Sequence, residues 1–254
     1  MLKRIIAKFW SDNVPGGEFY PRIKRVDEMR YKREPYLYEY IKWLSCEGGK
    51  LLEIGCGLGT DTRALAKAGM DVTALDASRS NVLKCIRGNM ELGVKAKVIL
   101  GDAENLKFEE EFDVIYSWGC LHHTPKTQKA INEIHKALKP NGKFMVMLYH
   151  KGYQWWYLML KYMLYPLARN PQAFISKHYD QTPLSKMYST RELKGMFYDF
   201  EDVKIEVIQY GAIMEHPILK YVWWLSEHSK WWKRNFGSFA VITGRKGDGW
   251  NIVA

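Results

Sequence analysis

The feature that most constrains the fold is a glycine-rich segment at residues 50–61, which reads KLLEIGCGLGTD. A short apolar run leads into glycines at positions 55, 57 and 59, and a hydroxyl and a carboxylate follow. Glycine permits the positive φ angles of a tight turn and leaves room for a ligand against the main chain. The segment therefore predicts a buried strand, a turn that binds a nucleoside-containing cofactor, and the start of a helix.

Strand and helix patterns alternate across the middle of the chain. We expect strands at Lys50–Gly55, Met70–Asp76, Lys97–Leu100, Phe112–Trp118 and Lys143–Tyr149, and helices at Asp61–Ala68, Ser80–Leu92 and Thr127–Leu138. Strands separated by helices of this length imply right-handed βαβ units and a doubly wound parallel sheet. Two later segments, Val203–Tyr210 and Ser238–Arg245, also have strand patterns.

The regions on either side of this alternation have helical patterns. Residues 1–10 suit a short basic amphipathic helix, and residues 22–47 suit one or two helices with Pro35 at a start or kink. Residues 150–189 are aromatic and basic, and a capped helix follows from Ser189 to Phe197. We expect an N-terminal helical leader at 1–49 and a main domain at 50–254 that carries a helical insertion at about 150–189.

The spacing of the glycines and two downstream acids narrows the choice of cofactor. The G-x-G-x-x-G spacing of dinucleotide sites would need glycine at Thr60, and the Gly-Lys-Ser/Thr ending of a P-loop is absent. Asp76 closes the second expected strand, where its two oxygens can accept hydrogen bonds from ribose hydroxyls. Asp102 follows the third, at the carboxyl edge where ligands bind in such sheets. These signals favour a nucleoside-containing cofactor without a pyrophosphate.

Several segments together resemble one family. Residues 52–59 resemble motif I of the class I S-adenosylmethionine-dependent methyltransferases, and Asp76 matches their ribose-binding acid. Residues 101–103, 118–123 and 138–143 are similar to three further segments of that family. The resemblance covers about residues 50–150. It implies a Rossmann-like α/β fold with a seven-stranded, mostly parallel sheet, an antiparallel last strand, and S-adenosyl-L-methionine as cofactor.

The resemblance also implies which residues contact the cofactor. They are Glu53, Gly55, Cys56, Gly57, Gly59, Thr60, Asp61, Asp76, Ala77, Asp102, Ala103, Trp118 and Gly119. The upstream segments 18–20 and 30–36 resemble the leader of a small-molecule methyltransferase subgroup, whose helices close over the cofactor. This likeness adds Tyr20, Arg30 and Tyr31 as contacts with the methionine end.

The acceptor is less constrained than the donor. The Asp/Asn-Pro-Pro-Tyr/Phe segment of many amino-methylating nucleic-acid enzymes is absent after the fourth strand, which argues against adenine or cytosine as acceptor. His122 and His123 stand there instead, either as a general base or as a cap and pocket wall. Tyr149 and His150 end the fifth strand and are candidate substrate contacts. The histidines lack enough further ligands at suitable spacing, so we expect no metal site.

Charge and aromatic content leave the substrate side open. The chain carries a net charge of +10, most of it outside residues 51–150, which favours anionic partners. The insertion, with Trp155 and Trp156, is apolar nearly all around, and a second Trp-rich cluster lies at 221–234. Three interpretations compete: a cap over an apolar substrate, peripheral contact with an anionic membrane or a lipid-like substrate, and plain packing or an oligomer contact.

The cysteines and the N-terminus indicate the compartment. The four cysteines form no CxxC pair, which is typical of reduced intracellular proteins. The first residues lack a signal-peptide pattern, and no 18-residue apolar run is present. We expect a cytoplasmic protein, peripheral at the inner face of the membrane if the second interpretation holds.

We therefore expect methyl transfer from S-adenosyl-L-methionine to a small, apolar or lipid-like acceptor by in-line displacement. The alternative within enzymes is a membrane-associated quinone or lipid methyltransferase. The alternative of another class is a catalytically inactive, basic RNA-binding protein with a methyltransferase-like fold, although nucleic acid is the less favoured partner.

Overall fold

The computed structural model describes residues 1–164, 170–179, 181–208, 229, 231 and 237–248, apart from the side chains of 153 and 154. The helices are α1 (Leu2–Asp12), α2 (Ile23–Arg33), α3 (Leu37–Ser45), α4 (Thr60–Lys67), α5 (Arg79–Glu91), α6 (Thr127–Ala137), α7 (Tyr153–Met163), α8 (Pro171–Tyr179) and α9 (Thr190–Met196). The strands are β1 (Lys50–Ile54), β2 (Asp71–Asp76), β3 (Lys97–Leu100), β4 (Phe112–Trp118), β5 (Leu138–Tyr149), β6 (Glu201–Ile208) and β7 (Phe239–Arg245).

The strands form one seven-stranded sheet in the order β3-β2-β1-β4-β5-β7-β6. The pairs from β3 to β5 are parallel, and β7 runs antiparallel to both of its neighbours, β5 and β6. The predicted Rossmann-like sheet, mostly parallel with an antiparallel last strand, is thereby confirmed. Strand order reverses between β1 and β4, which opens a crevice at their carboxyl ends.

Successive residues of the central strands pack on opposite faces of the sheet. In β4, Ile115 belongs to the apolar core under α6 and α9, whereas Val114 and Tyr116 belong to the core under α3 and α4. This alternation follows from the two-residue period of a strand. Helices on both faces bury the sheet and fix the positions of its carboxyl ends.

Strand β5 begins earlier than the sequence predicts. The sequence predicts a strand only from Lys143 to Tyr149, but β5 starts at Leu138, before the turn formed by Pro140, Asn141 and Gly142. Leu138 pairs with Phe112 and Lys143 pairs with Val114, so the turn residues bulge out between two paired positions. Asn141 takes a left-handed φ of 61°, a conformation that Asn tolerates well, and this lets the chain rejoin the sheet.

Helices flank the central alternation of strands and helices on both sides. Two helices, α2 and α3, lie on either side of Pro35, and α9 begins with a capping box between Ser189 and Glu192. Helices α7 and α8 pack on each other through a small separate apolar cluster. The second Trp-rich cluster at 221–234 lies outside the described residues, apart from positions 229 and 231. Within the described part of the chain, no helix is long and apolar enough to cross a bilayer.

Candidate active site

A cavity of about 520 Å³ lies at the carboxyl ends of β1, β2 and β4. The predicted residues that line it are Arg30, Glu53, Gly55, Cys56, Gly57, Thr60, Asp61, Asp76, Ala77, Asp102, Ala103, Trp118, Gly119, His123 and Tyr149. Carboxyl ends of parallel strands meet at one edge of a sheet, which is why residues from four separate segments converge here. The volume is within the range of small-molecule sites.

The glycine turn forms one wall of this cavity. Gly55 has a φ of 85°, and a side-chain carbon added to it would lie 2.5 Å from Cβ of Cys120. The backbone N–H of Gly57 donates a 2.9 Å hydrogen bond to Oδ2 of Asp76, which ties the turn to the end of β2. Gly59 does not line the cavity. A Cβ there would lie 2.4 Å from Sγ of Cys85, so this glycine lets α5 pack close beneath the turn.

A buried arginine holds the turn from the side opposite the cavity. Arg63 is 1% exposed, and its Nη1 donates a 2.8 Å hydrogen bond to the carbonyl oxygen of Leu58. Its Nε donates a 2.8 Å hydrogen bond to Asp27 of α2. The guanidinium thereby joins the N-terminal helices to the turn. The sequence pattern gives no signal for this role, because an arginine in the first turns of a helix is ordinarily solvent-exposed.

Asp61 collects three donors at the start of α4. Nη2 of Arg30 donates at 3.0 Å, the Tyr31 hydroxyl at 3.0 Å and the Tyr116 hydroxyl at 2.9 Å. Burial opposes ionisation of Asp61, but the Arg30 guanidinium and the two hydroxyls hold its pKa below the usual range. Arg30 also contacts Glu34. The carboxylate is therefore fixed in charge and position at the edge of the cavity.

The pKa of the neighbouring carboxyl group, that of Glu53, is shifted in the opposite direction. Glu53 is buried at the end of β1, and the hydroxyl of Thr62 hydrogen-bonds to it. Burial and the nearby Asp61 carboxylate raise the pKa of Glu53 well above its usual range. Asp61 is therefore the ionised member of this pair, whereas the environment of Glu53 favours its protonated form.

Asp76 is oriented by the backbone around it. Besides Gly57, the N–H of Ser78 donates to its Oδ1 at 2.8 Å. Burial raises the pKa of Asp76, and the backbone N–H donors act against that rise. The carboxylate has lone pairs beyond these two bonds, so it can still accept from a ligand hydroxyl.

Helix α1 covers the cavity from outside; it belongs to the 1–49 leader, which the family resemblance implies closes over the cofactor, although none of its residues was singled out from the sequence. Nζ of Lys3 lies 2.6 Å from Asp102 and 2.6 Å from Glu104, across the cavity edge. Other α1 and nearby side chains that line the cavity are Arg4, Ile6, Ala7, Trp10 and Val14. The amphipathic pattern of residues 1–10 predicted the helix, but a pattern within one helix cannot identify its packing partner.

The two adjacent histidines have different environments. His122 is fully buried, and its ring stacks on Tyr149 with centroids 3.6 Å apart. Burial and the adjacent His123 hold the pKa of His122 well below its usual range. The His123 ring lines the cavity, and its Nδ1 lies 2.8 Å from the carbonyl oxygen of Leu184. A carbonyl only accepts, so the hydrogen of the neutral His123 ring is on Nδ1 and the lone pair is on Nε2.

Besides Gly59 and His122, five further predicted residues lie away from the cavity lining. Tyr31 acts beneath it through Asp61, and Tyr20 packs with Val14, Val26 and Leu58. The buried ring of His150 contacts the carbonyl of Gly237 and the hydroxyl of Thr190. Trp155 packs in the α7–α8 cluster, and Trp156 is 59% exposed.

The far end of the cavity is aromatic and apolar. Trp10, Tyr149, Phe239, Met147 and Pro125 line it beside His123. The rings of Trp10 and His123 lie 4.7 Å apart, and those of Tyr149 and Phe239 stack at 5.4 Å. Only Tyr149 was predicted from the sequence. Trp10 and Phe239 are distant in the chain and become neighbours of the site through the fold alone.

Comparison with known families gives a match over the same region. Residues 51–142 match a family model described as a methyltransferase domain. The matched segment runs from the first residues of β1 into β5 and so contains the glycine turn and both acids at the ends of β2 and β3.

Curated relatives extend this likeness. Over 110 residues the chain is 38% identical to phosphoethanolamine N-methyltransferase 2 of Caenorhabditis elegans. The aligned residues cover 42% of this chain and 25% of that protein. The chain thus spans only about a quarter of that relative. Over 208 residues it is 28% identical to the ubiquinone biosynthesis O-methyltransferase of Rickettsia felis, covering 78% of this chain and 82% of that protein.

A solved structure has the same fold. Phosphoethanolamine N-methyltransferase 2 of Haemonchus contortus, in complex with phosphomonomethylethanolamine and S-adenosylhomocysteine, superposes with a TM-score of 0.57. The sequences are 18% identical, and the match covers 79% of this chain and 49% of that one. This likeness concerns the architecture of the domain.

Proposed function

This chain belongs to the class I S-adenosylmethionine-dependent methyltransferases, and on that premise we propose that it methylates a small, apolar or lipid-like acceptor. One observation carries the proposal. The glycine turn, the acids at the ends of β2 and β3 and an aromatic end all line the same cavity. The acidic part suits the donor, and the aromatic part suits the acceptor.

The residues of the cavity fit S-adenosylmethionine. Gly55 and Gly57 line the cavity and bring the main chain of the turn to its wall, and the place of a side chain at Gly55 is taken by Cys120. Among the described lining residues, and with Glu53 left out, acids outnumber cations: Glu34, Asp61, Asp76, Asp102 and Glu104 against Lys3, Arg4 and Arg30. A negative cavity favours a ligand that carries a sulfonium and an ammonium group. Asp76 would hold the ribose, and Asp61 with Glu53 would face the methionine end.

The protein's contribution to the reaction is orientation and exclusion of water. S-adenosylmethionine would supply, when bound, an activated methyl group: an acceptor nucleophile would attack the methyl carbon while its bond to sulfur breaks and S-adenosylhomocysteine leaves. The fixed carboxylates and the glycine turn would set the direction of that displacement, and α1 would exclude water. A general base is required only if the acceptor keeps its proton at the working pH. His123 is the member of the histidine pair whose ring reaches the cavity.

The nature of the acceptor follows from the aromatic end. Trp10, Tyr149 and Phe239 offer rings that pack against an apolar or aromatic molecule. The Rickettsia felis relative, which matches most of the chain, is named for ubiquinone biosynthesis. We place the acceptor's source in an anionic membrane, with the protein peripheral at its inner face, because most of the +10 charge lies outside the central domain segment.

Calorimetric titration with S-adenosylmethionine tests the donor half of this proposal. Replacing Asp76 with alanine removes a charged acceptor and should weaken binding about 10- to 100-fold. Asp71→Ala, at the exposed start of the same strand, is the matched control and should bind as the unaltered protein does. Equal affinity of the Asp76→Ala variant and the unaltered protein would refute the assignment.

A further inference from the structure

Helix α7 is apolar on both of its faces. One face, with Leu158, Met159 and Tyr162, packs against α8 in the cluster around Phe174. A soluble helix normally has a polar outer face, since apolar side chains gain nothing from exposure to water. On α7 the described outward residues are mostly apolar as well.

The outer face forms a continuous stripe. Its members lie at helical spacing and are 44–80% exposed: Trp156, Tyr157, Leu160, Met163 and Leu164. Residues three and four positions apart are neighbours on a helix, so these side chains adjoin one another. Contiguous exposed apolar patches mark interaction surfaces, whereas single exposed apolar residues do not.

The charged residues near this stripe in the sequence are all basic. No Asp or Glu occurs from residue 134 to residue 179. Lys161 lies on α7 itself, and Lys177 is exposed on α8. Trp and Tyr beside lysines are the composition of helices that lie in the interface of a bilayer, with cations toward anionic headgroups.

The inner face of α7, opposite the stripe, belongs to a cluster that reaches the aromatic end of the cavity. The ring of Tyr149, which lines the cavity, is 4.9 Å from the ring of Tyr179 on α8. Tyr149 also packs against the cluster that holds α7 and α8 together. A bilayer at the outer face of α7 would therefore be one helix layer from the proposed acceptor end.

We propose that the outer face of α7 is a docking surface for an anionic phospholipid bilayer. This inference rests on the proposed function, because a lipid-like acceptor would then enter the cavity from the membrane. The apolar stripe lies among the acyl chains near the headgroups, and Lys161 and Lys177 pair with lipid phosphates.

Vesicle flotation of the full chain tests this surface. The probes are vesicles of phosphatidylcholine with phosphatidylglycerol and vesicles of phosphatidylcholine alone. Leu160→Glu with Met163→Glu places two charges in the stripe and should reduce the vesicle-bound fraction about 10-fold or more. Leu83→Glu with Met90→Glu on α5 is the matched control. Its two sites are 58% and 78% exposed, against 59% and 80% for the stripe sites.

The outcomes separate docking from catalysis. Binding to the anionic vesicles that the stripe variant loses and the α5 variant keeps supports the proposal, even if no methyl transfer is detected. Absence of vesicle binding by the unaltered protein, with S-adenosylmethionine binding intact, overturns the docking surface and the membrane source of the acceptor, and it leaves the proposed methyl transfer standing. Equal vesicle binding by both variants also overturns it. The proposal is also overturned if the unaltered protein and the α5 variant are dimers and the stripe variant is a monomer, since a second copy of the chain would then cover the outer face of α7.

Discussion

At the scale of single residues, the site depends on how Asp61 is held. It accepts hydrogen bonds from Arg30, Tyr31 and Tyr116, which come from α2 and β4. The sequence identified Asp61 as the acid that opens a helix after the glycine turn. It did not identify Tyr116, because a tyrosine in a buried strand reads as core, and only the fold directs its hydroxyl to Asp61.

Asp61→Asn should cost about 3 kcal/mol of unfolding free energy at neutral pH, because it removes the buried negative charge that pairs with the partly buried Arg30. The folded-state pKa of Asp61 is depressed. Its ionised form therefore contributes stability above the unfolded pKa of about 4, and that stability is lost as pH falls through the folded-state pKa. Urea unfolding at neutral and acidic pH measures both effects.

The difference in unfolding free energy between the unaltered protein and Asp61→Asn should become smaller as the pH falls. Asparagine does not ionise, so the variant lacks this part of the acid destabilisation. Asp71→Asn at an exposed position serves as control and should leave the curve unchanged. If the difference in unfolding free energy between the unaltered protein and Asp61→Asn stays constant down to strongly acidic pH, the Asp61 carboxylate is not stabilised as described.

At the scale of elements, α1 is bound to the rest of the molecule by polar contacts rather than by a core. None of its side chains is buried. Asn81 donates to the carbonyl of Trp10 at 3.2 Å, and Lys84 donates to that of Ser11 at 3.0 Å. Lys3 adds an exposed ion pair to Asp102, a type of contact worth little on its own. Such an element can cover a ligand and still open.

Removal of residues 2–12 should therefore affect binding more than folding. We expect the melting temperature to change by less than about 4 °C, since little apolar area is lost. The affinity for S-adenosylmethionine should fall about 10-fold, because the cavity loses its outer wall. Thermal unfolding with and without the ligand, together with calorimetry, measures both. A truncated protein that binds as tightly as the full chain would exclude α1 as a cover.

The elements also show what sequence patterns can and cannot give. The strands and helices of residues 50–149 follow from local periodicity and turn residues, so their bounds were predicted to within a few residues. The exception is the early start of β5, which arises because Leu138 already pairs with Phe112 before the turn. The covering role of α1 and the exposed face of α7 depend on contacts with distant segments, which local patterns do not encode.

At the scale of the whole molecule, one cavity joins an acidic end to an aromatic end. The glycine turn and the strand-end acids could be assigned from sequence because the topology of the sheet brings them together. The aromatic end draws on Trp10, Tyr149 and Phe239, from three distant parts of the chain. The donor and an apolar or lipid-like acceptor were therefore predictable, but Trp10 and Phe239 could be assigned to the aromatic end only from the structure.

Transfer of a tritiated methyl group from S-adenosylmethionine to a total extract of source cells tests the central claim most directly. The extract is partitioned into organic and aqueous phases after incubation. Our account predicts label in a small apolar product in the organic phase with the unaltered protein, and none with Asp76→Ala. Label confined to nucleic acid or to aqueous products, or no transfer by a protein that binds the donor, would contradict it.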